Sequence, residues 1–209
     1  MMQRNAMLLC AGLALSSCSS VEVPRESWWR LDIPVAGLSA NSRDACVLRV
    51  QDLQLGNAMS GDFLIIAHGP SKLEARELDR WVAPLDRLAT DAFIVGLSRS
   101  GAFSLVKGAG DGGDEDLTLH GRITDFAEHR NDDGSRAAVA AFSLWVEGRD
   151  DVRFADEFRG VAPIEGQGAS ASVKALSLAL QQVIDQVRAR IVLQSLSTAN
   201  PDAAPPQSR

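Results

Sequence analysis

Trp28-Trp29-Arg30-Leu31-Asp32-Ile33 opens the first patterned stretch: aromatic and branched side chains in an extended run, stopped at Pro34, which cannot donate to a sheet ladder. Apolar and polar positions then alternate over part of residues 47–55, the period of a half-buried strand. Residues 63–67 form a short continuous apolar run between Gly61 and the Gly69-Pro70 pair, which suits a buried strand. At Leu78 the period changes. Leu78, Trp81, Leu85, Leu88, Ala92 and Val95 recur at three- and four-residue steps, which predicts a helix with one buried stripe, capped by Asp79. Pro84 then has to sit near the first turn, where its missing N–H is tolerated. Residues 101–106 read as another short strand. Three long alternating segments follow, 117–129, 137–147 and 152–162, with turn residues at Asn131-Asp132-Asp133-Gly134 and around 148–151, the signature of an antiparallel meander. Over residues 170–196, Val173, Leu176, Leu180, Val183, Val187 and Ile191 share one helical stripe that would pack on the sheet. The expected fold is a single α/β (α+β) domain over residues 28–196: a mixed sheet with an antiparallel C-terminal meander and two amphipathic helices packed on it.

The N-terminus carries a different pattern. Arg4 precedes an unbroken run of apolar and small residues over 6–15, inside the roughly 7–15 residues of a signal h-region and well short of the ~20 that cross a bilayer. The run targets and does not span. Leu15-Ser16-Ser17-Cys18 looks like the lipobox of bacterial lipoproteins: a branched residue, two small ones, and the cysteine that takes lipid. Residues 1–17 are thus expected to be removed as a signal peptide. Cys18 would carry a covalent diacylglycerol and an N-acyl chain, palmitate being the usual label for such sites, and these anchor the protein to a membrane at about 0.8 kcal/mol per buried methylene. Residues 18–27 are polar, contain Pro24 and read as a tether, and 197–209, alanine, proline and polar, as a disordered tail. Of the three cysteines, Cys10 leaves with the signal and Cys18 is lipidated, so only Cys46 stays a thiol and the core alone must hold the domain together.

Charge and motif chemistry mostly exclude functions. A net charge of −6 argues against nucleic acid and against broad electrostatic docking onto anionic lipid. Gly108-Ala109-Gly110-Asp111-Gly112-Gly113 has G-x-G-x-x-G spacing, but it runs into Asp114-Glu115-Asp116 and a strand, where a nucleotide loop would open a helix facing phosphate. It reads as a flexible hairpin loop with solvated acids, and those acids lack the spacing of a calcium loop. His68, His120 and His129 have no zinc-ligand spacing. Neither Leu97-Ser98-Arg99-Ser100-Gly101 nor Gly168-Ala169-Ser170-Ala171-Ser172 provides a nucleophile elbow. No catalytic residue, metal, nucleotide or other cofactor is expected. Trp28 and Trp29 are adjacent on a strand and point to opposite faces, so one of them is a candidate contact for a partner or an acyl chain.

The lipobox, the Trp-Trp-Arg-Leu-Asp start, Arg80-Trp81-Val82-Ala83-Pro84-Leu85, the meander segment Leu119-His120-Gly121-Arg122-Ile123-Thr124-Asp125-Phe126 and the alanine-rich closing helix together make the chain resemble the PqiC-like ABC-type transport auxiliary lipoproteins. The likeness runs from Trp28 to about Ile191; tryptophan stands at the mature start where the family often has tyrosine, a residue the chain lacks. The resemblance implies an envelope protein that accompanies an MCE-domain lipid transporter and performs no chemistry. Ser19, where an aspartate would favour retention at the inner membrane, points to the periplasmic face of the outer one. The rival expectation is a structural or assembly lipoprotein of the outer membrane with no part in lipid transport.

Overall fold

A computed structural model describes residues 25–33, 46–56, 61–149 and 151–199. The signal, the lipobox Leu15-Ser16-Ser17, Cys18 and residues 200–209 of the expected tail lie outside the described residues, whereas residues 197–199 of that tail are helical. The strands in chain order are β1 (Ser27–Trp29), β2 (Val47–Val50), β3 (Gln54–Leu55), β4 (Phe63–His68), β5 (Lys72–Trp81), β6 (Leu105–Gly108), β7 (Leu117–Arg130), β8 (Arg136–Glu147) and β9 (Val152–Pro163). The helices are α1 (Leu85–Arg99), between β5 and β6, and α2 (Gly168–Ala199), after β9.

Strand β7 is the spine. One of its edges pairs antiparallel with β8, which pairs antiparallel with β9, so the predicted meander is present. The β7–β8 turn closes with the Asn131 N–H on the Ser135 carbonyl at 3.0 Å, and Gly134 adopts the φ of +80° that L side chains avoid. Along the other edge of β7 the short strands β2, β3 and β4 lie end to end, all parallel to it. From β2 the sheet continues to β6, and from β4 through β5 to β1, giving nine strands in one mixed sheet. The single strand expected over 47–55 is interrupted because the Leu53 N–H bonds the Thr90 hydroxyl of α1 at 3.0 Å instead of a neighbouring strand.

Both helices pack on one face. Every second residue of β8, from Ala138 to Val146, points toward them and is buried, as are Leu119, Ile123 and Phe126 of β7. They meet Leu85, Ala89, Phe93 and Leu97 of α1 and Leu176, Leu180, Val183 and Val187 of α2. Phe93 meets Phe142 edge-on at 5.3 Å between centroids, and Trp81 meets Phe126 at 5.9 Å. Helix α2 approaches the sheet so closely that a Cβ on Gly160 would overlap the Ala179 carbonyl. Its outward side chains also reach the far edge of β9. Gln182 accepts the Val161 N–H at 2.9 Å, Gln186 donates to the Arg159 carbonyl at 3.0 Å, and Arg190 pairs with Asp156 at 3.1 Å. No helix among the described residues is long and apolar enough to cross a membrane.

The helix expected from Leu78 starts instead at Leu85. Pro84 occupies the cap position with ψ 138°, Asp79 caps nothing, and the preceding stretch is strand β5. Proline disfavours helical geometry at the residue before it, so the periodic pattern could not run back through Ala83. The strand was hidden by its charged residues, six of its ten positions being exposed and Arg76 and Asp79 being held in ion pairs. Gly101, at φ +66°, closes α1, and this delays the expected strand at 101–106 until Leu105.

Leu78 and Trp81 would share the buried face of a helix, but in the strand Trp81 is 1% exposed and Leu78 44%. Trp81→Ala is therefore expected to cost about 3–5 kcal/mol in urea denaturation. Leu78→Ala should stay within about 0.5 kcal/mol of the parent, as surface substitutions do.

Candidate functional site

The tryptophan pair lies on β1, which runs parallel to β5 with Trp28 beside Arg80 and Trp29 beside Trp81. Strand geometry sends the two indoles to opposite faces. Trp29 turns toward the helices, packs against the core and donates from Nε1 to Asp79 Oδ1 at 2.9 Å. Trp28 faces away and is 57% exposed. Beneath Trp29, between the chain leaving β1 and the first turns of α2, is a cavity of about 280 Å³ lined by Trp29, Asp32, Val173, Lys174, Ser177 and Leu178. One wall is fixed by the Asp32 N–H on the Ser177 hydroxyl at 3.1 Å, and the opposite lip is Leu178, an apolar side chain left 40% exposed.

Behind this groove is a buried carboxylate. The Glu128 side chain is 1% exposed and meets Arg130 at 3.0 Å, Arg76 at 3.2 Å, Arg136 at 3.3 Å and the Ser172 hydroxyl at 2.6 Å. Burial pushes its carboxyl up, but the hydrogen bonds from Ser172 and Arg130 and the charge of Arg76 outweigh this and hold it below the usual carboxylate range. A carboxylate so held is a poor proton acceptor; it joins the start of α2 to β5, β7 and β8. Arg76 also bonds Asp79 at 3.4 Å, so an unbroken polar chain runs from the Trp29 indole to Ser172 of α2.

The glycine-rich stretch is not a hairpin loop. β2 lies between β6 and β7, so residues 109–116 cross over it, and they wrap two buried cations. Arg49 donates to the carbonyls of Gly108, Ala109, Asp111 and Gly113 at 2.8–3.2 Å and to Glu115 at 2.8 Å. Lys107 donates to the carbonyls of Gly112 at 3.4 Å and Asp114 at 2.9 Å, and also to that of Gly113. Carbonyl oxygens, not N–H groups, line the interior, which is the wrong polarity for phosphate. The expected flexible loop with solvated acids is thus an ordered one, and the Arg49 hydrogen bond, reinforced by Lys107, pulls Glu115 down to about 2.

The three histidines stay apart. His68 pairs with Glu74 at 2.9 Å, His129 with Asp125 at 2.8 Å, and His120 lies flat on Trp145 with centroids 5.2 Å apart. Among the described residues no three potential metal ligands converge. Burial pushes the Cys46 thiol up, so it is a poor nucleophile. The sequence reading missed Arg49, Lys107 and Glu128. A charged residue between two buried apolar neighbours, as in Leu48-Arg49-Val50, was the available signal.

Removing one member of a buried ion cluster leaves the others uncompensated. Glu128→Gln is expected to cost about 3–5 kcal/mol by urea denaturation, and a loss below about 1 kcal/mol would show that the arginines have found solvent. For Glu115 the folded carboxyl lies below its ordinary 4.5, so its stabilising effect is complete above that pH and disappears as pH falls toward about 2. The urea midpoints of wild type and Glu115→Gln should accordingly differ at pH 7 and converge on acidification over that window.

The family of ABC-type transport auxiliary lipoprotein components matches residues 30–188, which takes in nearly the whole sheet and both helices. The protein XCC0632 from Xanthomonas campestris superposes with a TM-score of 0.73 at 15% identity, covering 83% of this chain and 99% of its own. The crystal structure of an uncharacterised protein superposes with a TM-score of 0.63 at 17% identity, over 80% of this chain and 99% of that one. At such identities the likeness is one of fold. No curated protein matches significantly. The extent of the family match decides the assignment: the chain belongs to the PqiC-like ABC-type transport auxiliary lipoproteins.

Proposed function

We propose that the chain is an accessory binding lipoprotein of an ABC/MCE-type transport system, held through acylated Cys18 at the periplasmic face of the outer membrane. In this role it binds the MCE-domain transporter protein and assists movement of lipid or another hydrophobic substrate between membranes. It performs no chemistry. The observation that carries the reading is the family match across the folded domain. The geometry is consistent with it: Glu115 and Glu128, whose carboxyls are held below the usual range, are locked in structural ion pairs, and a groove with apolar walls opens beside the chain leaving β1.

Of the two candidate tryptophans, Trp28 is the exposed one and Trp29 lines that groove. We assign the transporter contact to Trp29, Val173 and the lip residue Leu178, with Lys174 beside them. A glutamate placed in a desolvated contact costs at least ~2 kcal/mol, about thirtyfold in affinity. Leu178→Glu should therefore leave the melting temperature nearly unchanged, since the side chain is 40% exposed, while reducing capture of the transporter protein from solubilised envelopes about thirtyfold. Unchanged capture moves the interface elsewhere, and absence of an MCE-domain protein from the wild-type capture overturns the functional reading. In parallel, Cys18→Ser should abolish palmitate incorporation, because the thiol is the group that takes the diacylglyceryl chain.

A further inference from the structure

We propose that Trp28, together with Val82, seats this edge of the sheet in the interfacial layer of the same bilayer that holds the acyl chains of Cys18. The proposal rests on Cys18 being lipidated and is independent of the transporter contact assigned to the opposite face.

Trp28 is 57% exposed and Val82 56%. The two share a face: Trp81 points into the core, so its neighbours Arg80 and Val82 point out, and Trp28 stands beside Arg80 in the register. Val82 continues the ladder one residue past β5 through its N–H on the Trp29 carbonyl at 2.8 Å, which sets it diagonal to Trp28 on the same outward face, one pleat beyond Arg80. Arg80 is held down between them by Glu26 at 3.3 Å and Asp62 at 2.9 Å, and its guanidinium lies 4.1 Å from the centre of the Phe63 ring. The result is an aromatic and aliphatic pair on a largely neutralised base, flanked by exposed Arg25 and Arg30.

The tether decides the occupant. The chain from Cys18 enters the sheet at Ser27, one residue before Trp28. At ~3.3–3.6 Å per extended residue, the ten or so residues of the tether reach at most ~35 Å, and a coil covers much less. Among the described residues, Trp28 is the large exposed apolar side chain nearest the anchor along the chain. Such a leash gives an effective concentration in the millimolar range, so a contact too weak to detect with free protein persists on the tethered one. Indole is the side chain most suited to the boundary between headgroups and acyl chains, with an apolar body and one N–H for the wet side. Because the whole chain carries −6, attraction to anionic lipid contributes little, and the contact should be insensitive to salt.

The test uses the full acylated chain, its acyl mass verified, reconstituted into phosphatidylethanolamine–phosphatidylglycerol vesicles whose acyl chains are brominated near the headgroup. Bromine quenches only indoles that enter the bilayer. One of the four tryptophans should be quenched, at 0.1 M and 0.5 M salt alike. Trp28→Phe should abolish the quenching, whereas Trp29→Phe should retain it. Trp28→Glu, which the exposure of the site lets fold, should speed tryptic cleavage at Arg25 on the vesicles about tenfold and leave the melting temperature within a degree or two. Wild-type emission indifferent to bromination, or quenching that survives Trp28→Phe, overturns the proposal. So does a chain without acyl mass, or a Trp28 whose only effect is on capture of the transporter. No transporter is present in the vesicles, so failure here is distinguishable from failure of the groove assignment.

Discussion

The buried carboxylate of Glu128 is the constraint on which the rest of the arrangement turns. At 1% exposure it would not be tolerated alone, and four donors from β5, β7, β8 and α2 converge on it. Their convergence fixes where the first turns of α2 lie against the sheet. That placement positions Ser177 for the Asp32 N–H, and Arg76, shared with Asp79, fixes the Trp29 indole. The groove is thus a by-product of satisfying one charge, and its walls inherit the rigidity of that ionic node. An apolar core alone would permit α2 to slide by a turn, because its small residues repeat; Ser172 on Glu128 selects one registration.

Much of the fold was legible in the residue pattern. The meander declared itself because each of its strands has one face on the helices and one turned away, so burial in β8 alternates from Ala140 to Glu147. The closing helix was legible for the same reason, as its buried residues repeat at helical steps against the sheet. The failure fell at β5. Leu78 and Trp81 happen to stand three apart, and Arg76 and Arg80 are held by acids distant in sequence, Glu128 and Asp62, so the residues around them carry no apolar mark of a strand. Pro84 carries the correct boundary, because it disfavours helical geometry at Ala83.

The candidate site was only half legible. That two adjacent tryptophans on a strand separate to opposite faces is a matter of geometry, and the structure places them so. Which one is exposed could not be read from sequence, because it depends on the parallel pairing of β1 with β5, a contact of high sequence separation. The glycine-rich stretch misled in the opposite sense. Its composition suggested freedom, but glycines also let successive carbonyls turn inward, and Arg49 with Lys107 fills the resulting cage. Family membership supplies the context of a transport system, and the structure supplies two faces at one end of the sheet with different chemistry.

The side chains that α2 lays along the edge of β9 would have a consequence for a protein confined to a surface by the lipid anchor proposed above. Anchored molecules diffuse in two dimensions, meet one another far more often than the same number in free solution, and arrive with a common orientation. An open antiparallel edge would under those conditions add its neighbour's strand and propagate into a sheet spanning many molecules. Gln182 and Gln186 occupy the Val161 N–H and the Arg159 carbonyl, while Arg190 places a charge beside Asp156. At these positions the edge is already paired, with a helix of its own chain standing in for the stranger, and the proposed anchoring would not turn it into a template for runaway polymerisation.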